Sequence, residues 1–284
     1  MLAGGIRLDL VGKALWFIES HFAEDLSLEQ IAAASGVSRF HLVRAFGIAI
    51  GQPVMRYVRG RRLSVAARSL AAGACDILAV AIAAGYGSDE AFTRAFRDQF
   101  GLTPEQVRAQ RHTGNLNLVE PIRMDETAFP ELEPPRFVTG KPLLIAGLAE
   151  RYNCETVAGI PAQWQCFQPH LGHIPGQVGN IAYGVCCNGD DAGNIDYVTG
   201  VEVTDFSDLP PGFARVRLAA QRYAVFRHDA HVSTVRRTYN AIFGRGLAAS
   251  GEKVADAPDF ERYGENFDPR TGLGGLEIWI PLKS

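Results

Sequence analysis

The sequence predicts a multidomain protein in which an all-helical N-terminal domain precedes an α+β C-terminal domain with an antiparallel sheet. Three observations support this fold class. A stretch around residue 90 repeats one that lies 50 residues earlier, helix-capping residues recur through residues 1–112, and strand-like alternation appears only in the second half. At 284 residues, with 47% hydrophobic and 21% charged residues, the chain has the size and composition of two ordinary globular domains.

The two halves differ in charge. Residues 1–112 carry 13 Lys and Arg against 10 Asp and Glu, a net charge of +3, whereas the remainder carries 15 against 21, a net charge of −6. A polyanionic partner would therefore favour the first half. One segment there contains five arginines, namely Arg56, Arg59, Arg61, Arg62 and Arg68. The alternative interpretation of this run is a solvated helix face.

The sequence carries no signal for secretion, membrane insertion or cofactor binding. The N-terminus lacks a basic start followed by an apolar core, and no apolar run approaches the roughly 20 residues that span a bilayer. The five cysteines form no C-x-x-C pair, and no acidic ligand completes the histidine pairs HLGH and HDAH. We therefore expect a cytoplasmic protein without a cofactor, a metal site or a membrane partner.

Capping residues mark the helices of the first domain. The segments SLEQ and TPEQ each combine a capping hydroxyl with a glutamine three residues later, and TPEQ adds proline at the first helical position. Ser38 and Ser88 occupy equivalent positions in the two repeats, where each can cap the helix that follows. This recurrence predicts helices throughout residues 1–112.

Each repeat has the pattern of a helix-turn-helix motif. A short alanine-rich helix ends at Gly36 or Gly85, the chain turns, and a second helix follows with large apolar residues on one side. The other side of the second helix can reach base edges in a major groove of DNA. In the first repeat that side carries Arg39, Phe40, Val43 and Arg44, and in the second it carries Asp89, Glu90, Thr93 and Arg94.

One long helix is predicted between the repeats. The segment PVMRYVRGRRLSVAARSLAAG suits a helix of about 20 residues, which is roughly 30 Å long. Because a duplex turns once in about 34 Å, one chain could place both second helices in successive major grooves. We expect Arg59 and Arg62 on this helix to contact phosphates. A helical interaction module that binds no nucleic acid is the alternative.

Residues 8–112 resemble the DNA-binding domain of the AraC/XylS family, which contains two helix-turn-helix motifs. The segment GYGSDEAFTRAFRDQFGLTPEQVR matches the family signature nearly throughout. The resemblance places base-contacting positions at Phe40, Val43, Arg44, Asp89, Glu90 and Arg94. Carboxylates can accept a base-specific hydrogen bond only from cytosine N4, so we expect the second motif to read fewer bases or to dock mainly through Arg94.

A linker is predicted at residues 113–130, where turn formers are frequent and periodicity is poor. Residues 131–284 then follow the order strand, helix and strand hairpin twice. The predicted strands are RFVTGKPLLIAGLAERY, IAYGVCC, IDYVTGVEV, FARVRLAAQRYAVFRH, FERY and LEIWIPL, and the predicted helices are ETVAGIPAQWQCFQPHL and VSTVRRTYNAIFGRGLAAS. Such duplicated βαββ units predict an antiparallel sheet with both helices on one face and a cleft on the opposite face.

Residues 135–284 resemble the GyrI-like effector-binding domain, which occurs alone or behind DNA-binding domains in multidrug-sensing regulators. The segments that carry the resemblance are IPAQWQCF, YGV, DYVTGVEV, YAVFRH, DFERY and EIWIPL. The resemblance implies a pocket for amphipathic organic molecules, often cationic, with aromatic residues around a glutamate on the final strand. It assigns that glutamate to Glu277 and the aromatic lining to Trp164, Phe167, Tyr183, Tyr197 and Phe226.

The alternation in LEIWIPL supports Glu277 independently. If Leu276, Ile278 and Ile280 pack on the helices, Glu277 and Trp279 point into the cleft. Aromatic faces attract cations, and a desolvated carboxylate gains from a cationic partner. The alternative is that the aromatic residues form the core and that Glu277 is hydrogen-bonded within the fold.

These features predict a transcription regulator that binds double-stranded DNA and a small-molecule effector, with RNA polymerase as a further candidate partner. Two other function classes stay open at this point. One is small-molecule hydrolysis, with Glu277 as general base and Tyr183 or Tyr197 as polarising donor. The other is inhibition of a protein partner by the acidic C-terminal domain. The attached DNA-binding domain favours sensing.

Overall fold

The computed structural model describes residues 10–122 and 131–283. Within these ranges the N-terminal domain contains α1 (Leu10–His21), α2 (Leu28–Ser35), α3 (Arg39–Ile50), α4 (Val54–Ala71), α5 (Ile77–Ala83), α6 (Asp89–Phe100) and α7 (Pro104–Gln110). Among the described residues, no helix combines the length and the apolar character required to cross a bilayer. The prediction of an all-helical first domain is confirmed for the described part of that domain.

The capping residues act as predicted. Ser27 Oγ accepts a hydrogen bond from the backbone N–H of Gln30 at 3.2 Å, and Gln30 Oε1 accepts one from the backbone N–H of Ser27 at 2.7 Å. The segment TPEQ forms the same reciprocal pair at α7, and Ser38 and Ser88 cap α3 and α6. The predicted long helix is α4, whose 18 residues span about 27 Å.

The helical domain has two cores. Phe46 and Tyr57 belong to a core around α1, α2 and α3, whereas Phe92 and Phe96 belong to a separate core around α5, α6 and α7. The helix α4 contributes to both. The first core also includes residues of the C-terminal domain, such as Phe243. The first helix-turn-helix motif is therefore packed against the C-terminal domain.

Part of the predicted linker is packed against α4. Val119 donates its backbone N–H to Ser64 Oγ at 2.8 Å, and its carbonyl accepts a hydrogen bond from Arg61 at 2.9 Å. The rest of that predicted linker, residues 123–130, lies outside the described residues. So do residues 1–9 of the predicted first domain and residue 284 of the second.

The C-terminal domain is an α+β unit around one antiparallel sheet. Its strands within the described residues are β1 (Arg136–Gly140), β2 (Leu143–Tyr152), β3 (Gln177–Cys187), β4 (Ile195–Val203), β5 (Ala214–Leu218), β6 (Gln221–His228), β7 (Asp259–Tyr263) and β8 (Leu276–Pro281). Their order in the sheet is β1-β6-β8-β7-β3-β4-β2-β5. The two halves of the domain therefore meet where β7 pairs with β3.

Two segments that were predicted as single strands each form two strands. The chain leaves the sheet at Lys141 and Pro142 between β1 and β2, and at Ala219 and Ala220 between β5 and β6. β1 then pairs with β6, and β5 pairs with β2. The short strand of each pair thus joins the opposite half of the sheet, a pairing that local strand propensity does not specify.

Both main helices of this domain lie on one face of the sheet, as predicted. They are α8 (Ile160–Phe167) and α9 (Val235–Ala241), and α9 continues through a π-helical turn into α10 (Leu247–Ser250). Trp164 of α8 is hydrogen-bonded to Tyr197 of β4, and Tyr239 of α9 is hydrogen-bonded to Asp259 of β7. The space between the two helices lies above the middle strands of the sheet.

The opposite face of the sheet is closed by its own side chains. Val138 of β1, Leu143 of β2, Val185 of β3 and Tyr223 of β6 share one cluster, although β1 and β2 lie near opposite ends of the strand order. Only Lys141 and Pro142 separate β1 from β2, so the sheet must be strongly curved to bring its two ends together, and Val185 is fully buried. The prediction of a cleft on this face is wrong, because curvature brings aromatic and aliphatic side chains together there.

Candidate ligand cavity and nucleic-acid interface

A cavity of about 800 Å³ lies on the helix-bearing face, between α8 and α9. Strands β3, β4 and β7 contribute residues to it, and α3 of the N-terminal domain forms one wall. Most of the lining is apolar or aromatic. The aromatic and charged residues of the lining include Trp164, Tyr197, Tyr239, Tyr263, Glu261, Arg44 and Arg236.

A buried carboxylate, that of Glu261 on β7, lines this cavity. Its Oε2 accepts hydrogen bonds from the hydroxyl groups of Tyr197 at 2.6 Å and Tyr263 at 2.8 Å. The indole Nε1–H of Trp164 donates to the Tyr197 hydroxyl oxygen at 3.1 Å, and the Trp164 ring contacts the Tyr263 ring at 4.7 Å. The four side chains form one connected polar network inside an aromatic wall.

Burial controls the protonation of this network. It raises the pKa of Glu261, and the two tyrosine donors and the charge of Arg44 oppose that rise. Burial, followed by the charge of Glu261, raises the pKa of Tyr197 and of Tyr263 well above the ordinary value. Both tyrosines therefore remain protonated donors. The desolvated carboxylate that they hold is suited to a cationic partner.

The position of Glu261 follows from the alternation of β7. In DFERY, Asp259, Glu261 and Tyr263 share one side of the strand, while Phe260 and Arg262 share the other. Because β7 lies between β8 and β3, the first side faces the space below the two helices. The alternation of β7 therefore places two acidic side chains, Asp259 and Glu261, on the helix-bearing face.

The structure brings only two of the predicted ligand residues to the cavity. They are Trp164 and Tyr197. Phe167 is buried in the core below α8, and Phe226 is buried in the core below α9. Tyr183 belongs to the cluster on the opposite face, together with Trp279. These four side chains lie away from the cavity. For Tyr183 and Trp279 the reason is that the cavity is on the helix-bearing face of the sheet and not on the opposite face where it was predicted.

Glu277 also lies away from the cavity. Its carboxylate accepts hydrogen bonds from Arg136 at 2.7 Å, from Arg262 at 3.3 Å and from the indole of Trp279 at 3.1 Å. Glu277 therefore lies on the face opposite the helices, as predicted, but the cavity lies on the other face, so Glu277 does not line it. The acidic residue that sequence reasoning missed is Glu261. The signal was available in DFERY, where acidic residues alternate with aromatic ones inside a short strand.

The outer side of α3, which was predicted to be free for DNA, is covered by the C-terminal domain. Phe40 packs with Tyr152, and Val43 is buried in the first core. Arg44 forms an ion pair with Asp259, with Nη2 and Oδ2 2.8 Å apart. Arg39 is exposed and pairs with Glu29 and with Asp191 of the β3–β4 loop. The prediction of an outward α3 is therefore wrong for this arrangement of the domains.

The second motif is open by contrast. On α6, Asp89, Glu90 and Arg94 are exposed and Thr93 is half-buried. Arg59 of α4 is exposed as well. Arg62 is instead turned toward the turn after α1, where it donates to the backbone carbonyls of residues 22 and 24. The phosphate contact of Arg62 therefore stays a prediction that would require this side chain to turn outward.

Among the described residues, no group of three or more His, Cys, Asp or Glu side chains is arranged to hold a metal ion. His228 is buried and bonded to Thr238 at 2.7 Å, which gives that histidine a structural role. The groups of the cavity that can recognise a ligand are therefore its carboxylate, its aromatic walls and its arginines.

Comparison with known proteins agrees with both domains. A family model described as a GyrI-like small molecule binding domain matches residues 133–283, and a helix-turn-helix domain model matches residues 31–110. The transcriptional regulator Rob of Salmonella typhimurium is 28% identical over 98% of this chain and 98% of its own length. The right origin-binding protein of Escherichia coli (strain K12) shows the same identity and coverage. The transcriptional regulator BrlR of Pseudomonas aeruginosa is 31% identical over 42% of this chain and 44% of its own length.

The domain matches and the full-length relatives point to one class of protein. A DNA-binding helical domain is joined to a small-molecule-binding domain that contains a cavity between α8 and α9, and the relatives that span the chain include a transcriptional regulator. The function that follows is ligand-responsive binding to DNA. The chain belongs to the AraC-type transcription regulators that carry a C-terminal GyrI-like small-molecule-binding domain.

Proposed function

We propose that the effector of this regulator is an amphipathic cationic small molecule bound in the cavity between α8 and α9. The observation that carries the proposal is the buried carboxylate of Glu261, held by Tyr197 and Tyr263 in an otherwise largely apolar lining. A lipophilic cation would give this buried carboxylate a positively charged partner inside the cavity. It would also contact the aromatic faces around the carboxylate. The volume of about 800 Å³ lies within the range of cavities for drug-sized molecules.

Regulation rather than catalysis is the function that we assign. Full-length relatives named as a transcriptional regulator and an origin-binding protein support this assignment. The hydrolase alternative paired Glu277 as general base with Tyr183 or Tyr197. Tyr197 lies on the other face of the sheet, whereas Tyr183 shares a face with Glu277 and its partner Trp279, so the relatives rather than this geometry favour regulation. Contact with RNA polymerase and a cytoplasmic location stay predictions from the sequence.

We infer that DNA is read by both second helices, with unequal access. α6 presents Arg94 to solvent, whereas α3 presents its base-reading side only after it leaves the C-terminal domain. The exposed Arg59 on α4 is placed to contact a phosphate beside them.

Calorimetric titration of the full chain tests the effector class. Tetraphenylphosphonium is a suitable cationic probe because it has aromatic surface and no hydrogen-bond donors, and triphenylphosphine oxide is a neutral counterpart. The Glu261→Gln variant keeps the shape of the side chain and removes its charge. We expect it to weaken binding of the cation by about tenfold or more, equivalent to roughly 1.4 kcal/mol, with little change for the neutral compound.

The matched control is Glu277→Gln, which removes a carboxylate from the other face of the same sheet. It should leave the affinity for both compounds unchanged. Equal weakening of both compounds by Glu261→Gln would show that Glu261 only supports the fold. If Glu277→Gln lost cation binding and Glu261→Gln did not, the cation site would be assigned to the opposite face of the sheet.

A further inference from the structure

The outer side of α3 is held against the C-terminal domain at three places. Its N-terminal end contacts the β3–β4 loop, where a Cβ atom built on Gly189 would lie 2.4 Å from the Phe40 ring. Its centre inserts Arg44 beside Asp259. At its C-terminal end, Arg236 of α9 donates to the backbone carbonyls of Gly47 at 3.2 Å and Ile48 at 2.9 Å. These contacts cover the residues that would read a major groove.

Arg44 occupies the acidic side of the cavity as a bound cation would. Its guanidinium contacts Asp259 through Nη2 at 2.8 Å and through Nε at 3.1 Å, and it lies 4.7 Å from the centre of the Tyr239 ring. An acidic partner and an aromatic face are the two features that recognise an organic cation. Arg44 is itself 9% exposed, so this pair is almost fully desolvated.

The cation site of Glu261 lies next to this pair. Glu261 and Asp259 are two residues apart on the same side of β7, which places them about 7 Å apart along the strand. Arg44 and Glu261 both line the same cavity. Two positive charges in this buried volume repel each other strongly, because little water screens them. A cation at Glu261 and the guanidinium of Arg44 therefore compete.

We propose that Arg44 is an internal occupant of the acidic cavity, that its binding holds α3 in a position where it cannot read DNA, and that the cationic effector displaces it. This inference rests on the cation site proposed above. Effector binding then weakens the docking of α3 and frees Phe40, Val43 and Arg44 for a major groove. By linkage, DNA that captures α3 increases the affinity of the cavity for the cation by the same factor.

A disulfide can test whether docking of α3 prevents DNA binding. A Cβ atom built on Gly47 would lie 3.7 Å from Cβ of Cys154, which is a suitable separation for a disulfide, usually about 3.5–4.5 Å. We suggest oxidising the full-length Gly47→Cys variant with diamide and verifying the bond to Cys154 by mass. The DNA probe is a duplex selected from a random library by the wild-type chain with tetraphenylphosphonium present.

We expect the oxidised variant to bind this duplex at least about 100-fold more weakly than the same sample after reduction, because α3 is locked. Tetraphenylphosphonium should slow formation of the disulfide, because it releases α3. The double variant Gly47→Cys with Cys154→Ser is the control and should show no change on oxidation. Equal DNA affinity of the locked and reduced forms would overturn the proposal. So would failure of the bond to form, or a rate of formation that is unchanged by the cation although calorimetry shows that the cation binds.

The same experiments separate this inference from the proposed effector class. If tetraphenylphosphonium fails to bind the wild-type chain in calorimetry, the effector proposal fails, while the effect of the lock on DNA affinity still decides whether docking inhibits. If the cation binds through Glu261 but the locked chain binds DNA normally, the effector proposal stands and the inhibitory role of Arg44 is refuted.

Discussion

Hydrogen bonds from two phenolic hydroxyls favour the ionised form of the buried Glu261 carboxylate. Burial alone raises the pKa of this group, and the hydrogen bonds from Tyr197 and Tyr263 offset part of that effect. The part of the desolvation cost of this carboxylate that the two hydrogen bonds do not offset can be recovered when a cation binds beside it. At the scale of single residues, recognition of the effector therefore depends on incomplete compensation of one charge.

The affinity for a cationic effector should depend on pH. Only the ionised form of Glu261 attracts the cation, and burial moves the pKa of this carboxylate above its ordinary value. Affinity is therefore complete above the raised pKa and declines as the pH falls through it, by at most about tenfold per pH unit. Calorimetry with tetraphenylphosphonium across the acidic range measures this decline. The Glu261→Gln variant and the neutral probe should both give flat profiles, and a decline of equal slope in either would assign the effect to another group.

At the scale of elements, α3 and α6 share a sequence pattern and differ in surroundings. α6 has a free outer side with Arg94, whereas α3 buries its outer side on β7, α9 and the β3–β4 loop. In this arrangement of the domains, the two motifs therefore differ in their access to DNA. Under the proposal above for Arg44, α6 can meet DNA without a rearrangement, whereas α3 requires the domains to separate.

Arg94 and Arg59 should affect DNA binding differently. We expect Arg94→Ala to cost about 1–3 kcal/mol on a selected duplex and to relax preference at one base pair, because an exposed arginine on α6 can contact guanine. Arg59→Ala should weaken binding to all sequences by a similar factor and lower the salt slope by about one. Titration of a panel of single-base variants at several salt concentrations distinguishes these outcomes. A uniform loss in Arg94→Ala would identify Arg94 as a phosphate contact.

The sheet itself depends on a close approach between β2 and β4. A Cβ atom on Gly147 would lie 1.9 Å from the carbonyl oxygen of Thr199 and 2.5 Å from Cα of Gly200, so no side chain fits there. We expect Gly147→Ala to lower the free energy of unfolding by about 3 kcal/mol or more. Gly87→Ala is the control, because a Cβ there meets no atom within 4 Å. Urea denaturation of both variants tests this, and equal stability would show that β2 can shift away from β4.

At the scale of the whole molecule, each domain covers part of the other domain's binding surface. α3 covers one side of the effector cavity, and the C-terminal domain covers the DNA-reading side of α3. Because one interface serves both sites, whatever separates the domains should act on both binding equilibria at once. The equilibrium between docked and separated domains is therefore one that both the effector and DNA can shift.

A wedge at the interface should activate the protein without an effector. Gly189→Glu adds a side chain where even a Cβ atom would meet the Phe40 ring, and Gly189 is outside the cavity lining. We expect it to tighten binding to the selected duplex by about tenfold or more, equivalent to roughly 1.4 kcal/mol, and to reduce the response to tetraphenylphosphonium. Fluorescence anisotropy measures both quantities.

Ala219→Glu is the matched control for this wedge. It adds the same charge at the exposed turn between β5 and β6 and should leave DNA affinity and the response to the cation unchanged. Tightening of DNA binding by both variants would point to a general effect of charge. Unchanged affinity in Gly189→Glu would show that the loop contact does not restrain α3.

The sequence by itself determined the features that depend on neighbouring residues. Capping pairs such as SLEQ, the repeat around Ser38 and Ser88, and the alternation of the strands indicate helices, motifs and domain class through local hydrogen bonding and periodicity. The positions of Trp164 and Tyr197 at the cavity followed from the family resemblance. These signals do not require knowledge of how distant segments pack.

The tertiary structure alone decided which glutamate lines the cavity and where α3 lies. Glu261 and Glu277 both lie inside short strands, and period-two alternation separates the two sides of a strand without saying which face of the sheet holds a cavity. Arg44 meets Asp259 across 215 residues of sequence, so its burial depends on a surface that no local pattern describes. A residue suited to contact guanine is equally suited to pair with a buried carboxylate, and only packing selects between these partners.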